Sequence, residues 1–390
     1  MTTSPTTSAA DGIHTLLPRA QMTASARKIR DTYARVPGAP LYQQADFYYC
    51  LERWREQGLA PDADLAALFG YDTGGIHEIY ELGICEATYL PHFDTEVLED
   101  RGDHELVRDW AGRSVLYFKG RRDGFMPEYA DHPVKDRASW EMQCRWRMDP
   151  ATPERYADLD ARMGCAAAAA AEGQLIRQNM VGAYMYLRSL FGPLELLYAF
   201  YDMPDVIHAC MEGWLALADG VIARHQQHVS LDVLYFGEDI CYNHGLLCSP
   251  DNVKEFLIPY YQQLIRNVRS RQLDRERHLA IMVDTDGYCV PAIPLYHEAI
   301  GMEAMCPFEV ASGCDVVEIG KQYPNLVISG GMDKRVMAES KDAIDRMVER
   351  IIPPMRERGG YFPTCDHGVP EEVPLDYYLH YRQRCIELGG

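Results

Sequence analysis

The chain has 390 residues, 47% of them apolar, which is ample core for two average domains or one large α/β barrel. A balance of 38 Lys plus Arg against 58 Asp plus Glu leaves a formal charge of -20, which repels phosphate backbones and anionic membrane surfaces and excludes nucleic acid as an expected partner. Its 12 cysteines stand at irregular spacings with no CxxC pair and no secretory leader, the pattern of reduced thiols in a cytoplasmic protein.

The opening MTTSPTTSAADG is rich in Ser, Thr and Pro, so residues 1–24 are expected to form a disordered tail. APLYQQADF (39–47) reads as an early strand. Residues 60–150 carry many Asp, Gly, Pro and aromatic residues without regular periodicity, and end in DPATPERY; they read as an irregular elaboration placed over or beside the main fold. The alanine run at 166–171 reads as a tightly packed helix. No apolar run reaches transmembrane length, so no membrane partner is expected.

From about residue 174 short apolar runs alternate with helical patterns. LIRQNMVGA (175–183) is followed by YLRSLFGPLELLYAFYD and MPDVIHACMEGWLALADGVIARHQQ. VLYFGEDI (233–240) is followed by a helix for which Ser249 is the N-cap and Pro250 the first residue. LAIMVDTDG, MEAMCPFE, LVISGGMD and YFPTCDHG repeat the pattern, each with a helix after it. Short apolar strands in serial β/α order suit parallel strands buried on both faces, and no GxGxxG follows the first of them. The fold class expected is α/β, a (β/α)8 TIM barrel with an N-terminal elaboration, residues 25–390 forming one domain.

In such a barrel the C-terminal strand ends form the active face, and here those ends are polar. Asp284 and Asp286 share strand parity and are expected to point the same way into the mouth, although DTDG is also good turn chemistry. Glu238 and Asp239 end another strand, and Cys365, Asp366 and His367 a third. Converging carboxylates, a thiol and an imidazole suit either a divalent metal or a proton-transfer set. Glu309, Asp333 and Lys334 follow two further strands, and Tyr235, Tyr242, Asn243 and His244 offer a wall for an aryl or largely apolar substrate. A backbone-bonded His367, a buried inert Cys365 and a structural turn at Asp333 and Lys334 are the plainer alternatives.

VDTDG, AMCPFEVASGCDVVEIGKQYPNLVISGGMDKRVMA and GGYFPTCDHGVPEEVPLDYYLHY resemble the uroporphyrinogen decarboxylase superfamily, which includes methyltransferases acting with corrinoid proteins. ERWREQGLAP, HPVKDRASWE and LRSLFGPLELLYAFYDMPD extend the resemblance over most of residues 25–390. The resemblance implies the barrel, a small-molecule substrate, and a corrinoid carried by another protein as partner, since no fused cobalamin-binding signature is present. It also implies pairing of barrels into a homodimer.

The decarboxylase itself carries an Arg-rich N-terminal motif, whereas PGAPLYQQADFYYCLERW has no arginine before Arg53, which argues against a polycarboxylate substrate. The related methyltransferases use zinc held by a His-x-Cys pair and a later Cys. Asp284 and Asp286 stand at the first two positions here, Cys365 near the third, and Glu238 is a candidate fourth ligand. Carboxylates favour a harder site than thiolate zinc. The expected function is therefore methyl transfer from a small donor, such as an aryl ether, to a corrinoid or other acceptor. Asp284, Asp286, Glu238 and His367 are its expected acids, bases or ligands. Decarboxylation or lyase chemistry on a small carboxylic acid is the alternative.

Overall fold

The protein is described by a computed structural model covering residues 21–122 and 127–390; most of the tail expected over 1–24 lies outside the described residues. Inside them, Met22 is buried and Thr23 caps the helix Ala24–Tyr33 by accepting from the Ala26 amide.

Among the described residues the strands in chain order are β1 Ile76–Leu82, β2 Glu96–Arg101, β3 His104–Arg108, β4 Ser114–Phe118, β5 Glu128–Asp131, β6 Leu175–Val181, β7 Val233–Gly237, β8 Cys241–Tyr242, β9 Gly245–Leu246, β10 Ala280–Asp284, β11 Ala304–Cys306, β12 Val327–Ser329 and β13 Tyr361–Phe362. β1, β6, β7, β10, β11, β12 and β13 pair in that order into one parallel sheet, with helices between them.

The sheet curls into a barrel. Ile76, Leu175, Val233, Ala280, Met282, Ala304, Val327 and Phe362, contributed by all seven strands, meet in one apolar cluster distinct from the larger core between strands and outer helices. Inner faces of an open sheet could not converge in this way. The helix Ala24–Tyr33 plugs this interior with Ala26, Ile29 and Tyr33.

The eighth stave differs from expectation. Residues 39–47 are extended but form no ladder; they lie between the strand-end segment 365–369 and the lead into β1. Two carboxylate side chains and one isolated backbone bridge, Tyr48 with Val369, replace the missing ladder. Asp46 Oδ1 accepts the Cys365 amide at 2.7 Å, and the Gln43 amide donates to Asp72 Oδ2 at 2.7 Å. The Val369 amide donates to Phe47 O at 2.8 Å, and the Tyr49 amide to Val369 O at 3.0 Å.

Residues 60–150 are more regular than their composition suggested. They supply the barrel strand β1 and an antiparallel sheet β2-β3-β4-β5. The helix Pro204–His225 is long and apolar enough to cross a membrane by length and composition. Its Trp214, Leu217, Val221 and Ile222 are buried in the shell, and Trp214 Nε1 donates to Val181 O of β6 at 3.0 Å. Ser249 caps its helix as expected, accepting from the Asn252 amide at 3.1 Å with Pro250 following.

Candidate active site at the barrel mouth

Parallel strands that end in polar residues bring those residues to one rim, and strand parity decides which of them face inward. On β10, Ala280 and Met282 line the interior, so Asp284 faces it too, at the floor of the mouth. Tyr235, on the inner face of β7 beneath it, donates its hydroxyl to Asp284 Oδ2. The Arg177 guanidinium lies over the Tyr235 ring, 5.3 Å from its centroid, and pairs with Glu78 on β1. Thus a polar file, Glu78, Arg177, Tyr235 and Asp284, crosses the upper barrel.

Burial, reinforced by the Asp286 charge, pushes the Asp284 carboxyl up to about 7, against the pull of the Tyr235 hydroxyl. Near neutral pH this acid is poised to give or take a proton.

Above it, Asp286 Oδ2 lies 3.4 Å from Nε2 of His367. That carboxylate raises the imidazole above its ordinary value, with burial opposing. Tyr49 stacks on the His367 ring at 6.0 Å between centroids and 19° between planes, and Phe47 packs edge-on against Tyr49 at 4.9 Å. Glu309 bridges neighbouring loops: Oε2 accepts the Gly287 amide at 2.9 Å and Oε1 lies 3.2 Å from Lys334 Nζ. Gly287 has φ +76° and abuts the Tyr242 backbone, where a Cβ would sit 2.6 Å from the nearest atom. Only glycine fits that crossing.

Asp366, which burial pushes up, braces the mouth by accepting the Val310 amide at 2.9 Å and the Lys334 amide at 3.1 Å. Asp239, left-handed at φ +42°, pairs with Arg188 of the helix Ala183–Phe191 at 2.7 Å. Burial raises its carboxyl, and Arg188 opposes the rise. Cys85, just past β1, is exposed; partial desolvation and the charges of Glu86, Asp239 and Asp284 push its thiol up to about 11.

Asp284, Asp286, His367, Glu309 and Lys334 therefore come together, with Tyr235 directly below. Tyr242, Asn243 and His244 occupy the exposed tip of the β8-β9 hairpin at the rim. Asp333 instead caps the helix Lys334–Met337 and pairs with Arg335 at 2.8 Å.

Glu238 is fully buried outside the mouth, where Oε2 accepts the Tyr261 hydroxyl and Oε1 accepts that of Tyr296 at 2.5 Å. Burial pushes it up to about 7. Cys365 is buried in the shell, and its thiol is raised by desolvation. The proposed zinc set of Glu238, Asp284, Asp286 and Cys365 is thus not assembled. Glu238 is saturated by tyrosines and Cys365 faces the core, and among the described residues no group of three His, Cys, Asp or Glu stands ready to hold a metal ion. These donors do not fit the zinc centre expected from the resemblance.

Arg188, Cys85, Phe47 and Tyr49 were not singled out as site residues from the sequence. Arg188 lies on a helix, and Phe47 and Tyr49 stand at and just beyond the C-terminal end of the segment 39–47 expected as a strand. Their signal was only the unusual density of aromatics in DFYYC.

The profile of the family described as uroporphyrinogen decarboxylase (URO-D) matches residues 180–384. Uroporphyrinogen decarboxylase from Geobacter metallireducens is 22% identical over 187 residues, covering 45% of this chain and 49% of that protein. The enzyme of the same name from Citrifermentans bemidjiense is 23% identical over 186 residues, with the same coverage. The chain spans about half the length of the curated relatives it matches. Among solved structures, a methyltransferase from Methanosarcina mazei superposes with a TM-score of 0.55 over 92% of this chain and 98% of that one, at 13% identity. At that identity the likeness is one of fold.

Proposed function

The chain belongs to the uroporphyrinogen decarboxylase family, and from that membership we propose that it is a methyltransferase in which Asp284 is the general acid. The observation that carries this reading is the position of Asp284: an inward carboxyl held near a pKa of about 7, bonded from below by Tyr235 and open to the mouth above. A small donor such as an aryl methyl ether places its ether oxygen over Asp284 and its ring against Tyr49 and Phe47. An acceptor nucleophile attacks the methyl carbon, the carbon–oxygen bond breaks, and Asp284 delivers its proton to the departing oxygen. His367, whose protonated form is favoured by its pairing with Asp286, returns a proton to the floor for the next turnover. The fold shared with a methyltransferase and the family relation favour a corrinoid on a separate protein as the acceptor substrate.

Decarboxylation, the activity in the curated relatives' names, ranks second because it asks for a cation to hold the substrate carboxylate. Lys334 is engaged by Glu309 and Arg188 by Asp239. The test supplies cobalt(I) corrinoid with methoxyarenes and methylamines and follows methylcobalt absorbance. Formation that depends on Asp284 supports the reading; carbon dioxide release from a carboxylic acid without methyl transfer would replace it.

A further inference from the structure

The charges and rings around the mouth bear on which molecules it admits. Among the described residues each cation there is already matched: Arg188 to Asp239 at 2.7 Å, Lys334 to Glu309 at 3.2 Å, and His367, when protonated, to Asp286 at 3.4 Å. Arg177 beneath is matched to Glu78. Asp284 and Asp366 come on top of these pairs, so the mouth holds more carboxyls than cations. An incoming carboxylate would have to displace one of these carboxylates to reach a positive charge, and would meet the others at low dielectric.

A cation meets the opposite conditions. It finds carboxylate oxygens on several sides, together with the rings of Phe47 and Tyr49, 63% and 49% exposed at the rim, since the face of an aromatic ring attracts a cation. Exposed rings beside acidic groups are the chemistry that receives a ring-bearing ammonium ion. Two functions are separable here: the rings hold the aryl body, and Asp239, Asp286 and Glu309 set the sign of the charge it carries.

We propose that the mouth selects a positively charged aryl donor and rejects carboxylated ones, with Asp239 and Glu309 as the specificity-determining residues because each neutralises a cation that would otherwise hold an anion. This rests on the reading of the mouth as the substrate site and adds the substrate's charge class to it.

The experiment measures equilibrium binding calorimetrically, without methyl acceptor, for three ligands that share a methoxyphenyl group: 4-methoxybenzylamine, 4-methoxybenzyl alcohol and 4-methoxybenzoate. The expected order is amine, then alcohol at least tenfold weaker, then benzoate below detection, with the amine's advantage shrinking as salt is added. In the D239N/E309Q protein, verified as folded by circular dichroism, Arg188 and Lys334 are released, so benzoate should bind and the amine weaken at least tenfold. Benzoate binding as tightly as the amine, an unchanged preference in the folded double variant, or binding of none of the three would overturn the proposal. Binding in the expected order without methyl transfer from any of them would leave charge selection standing and overturn the methyltransferase reading alone.

Discussion

The hydroxyl of Tyr235 on β7 donates to Oδ2 of Asp284 on the neighbouring strand β10, from inside the barrel and beneath the mouth. A donor to the carboxylate favours its ionised form, so this bond works against the burial that raises Asp284. Tyr235→Phe should therefore push the acid higher still and move the alkaline limb of the pH–rate profile upward. Steady-state rates between pH 5 and 9 check this, and a limb that stays in place would mean that Tyr235 does not tune the acid.

Asp284→Asn keeps shape and polarity but has no proton to give. It should lower kcat by about 10²–10⁴-fold with a much smaller change in KM, measured as methylcobalt formation at saturating donor.

Glu238 acts on stability. Its folded pKa of about 7 lies above the ordinary 4.5, so the contribution is full below pH 4.5 and is lost as pH rises through about 7. The loss is about 3 kcal/mol, given roughly 1.4 kcal/mol for each tenfold change in proton affinity. Glu238→Gln cannot ionise, and its denaturation midpoint should vary less between pH 5 and 8 than that of the parent protein. Equal pH dependence in urea titrations would contradict the burial assigned to this carboxyl.

Gly182 approaches Glu238 so closely that an added Cβ would lie 2.0 Å from Oε2 and 2.7 Å from Cα. Gly182→Ala should destabilise the fold by more than about 3 kcal/mol, read as a lower midpoint in thermal or urea unfolding.

Cys365 lies in the shell, bonded through its backbone to Asp46, rather than at the mouth. Cys365→Ala should keep kcat within about threefold while lowering stability by roughly 1 to 2 kcal/mol. A loss of turnover comparable to that of Asp284→Asn would return the thiol to the chemistry.

The strand ends were legible because an apolar run closing on acidic residues and glycine is costly to bury without a reason, and Asp284, Asp286, Glu309 and His367 all meet at the mouth. The choice between Glu238 and Asp239 was not legible. Both faces of VLYF are apolar, so the sequence does not mark which parity is inward; in the structure Val233 and Tyr235 face the interior, and Glu238 falls with Leu234 and Phe236 on the shell side. The antiparallel sheet was hidden for a different reason. Every residue of β2, EVLEDR, is exposed, so no apolar alternation marks it. The stave at 39–47 was visible as an extended segment, but its closure by the Asp46 and Asp72 side chains joins residues more than 300 and nearly 30 positions apart, which local pattern does not encode.

If Asp284 protonates the departing oxygen during methyl transfer, turnover must follow the titration of that one carboxyl. The most direct measurement is the rate of methylcobalt formation from a methoxyarene and cobalt(I) corrinoid across pH 5 to 9, in the parent protein and in Asp284→Asn. The parent rate should fall as pH rises through about 7, where the acid form is lost, and the variant should be slowed at least a hundredfold with that limb absent. A variant that turns over at the parent rate, or one that keeps the same alkaline limb, would contradict this role of Asp284.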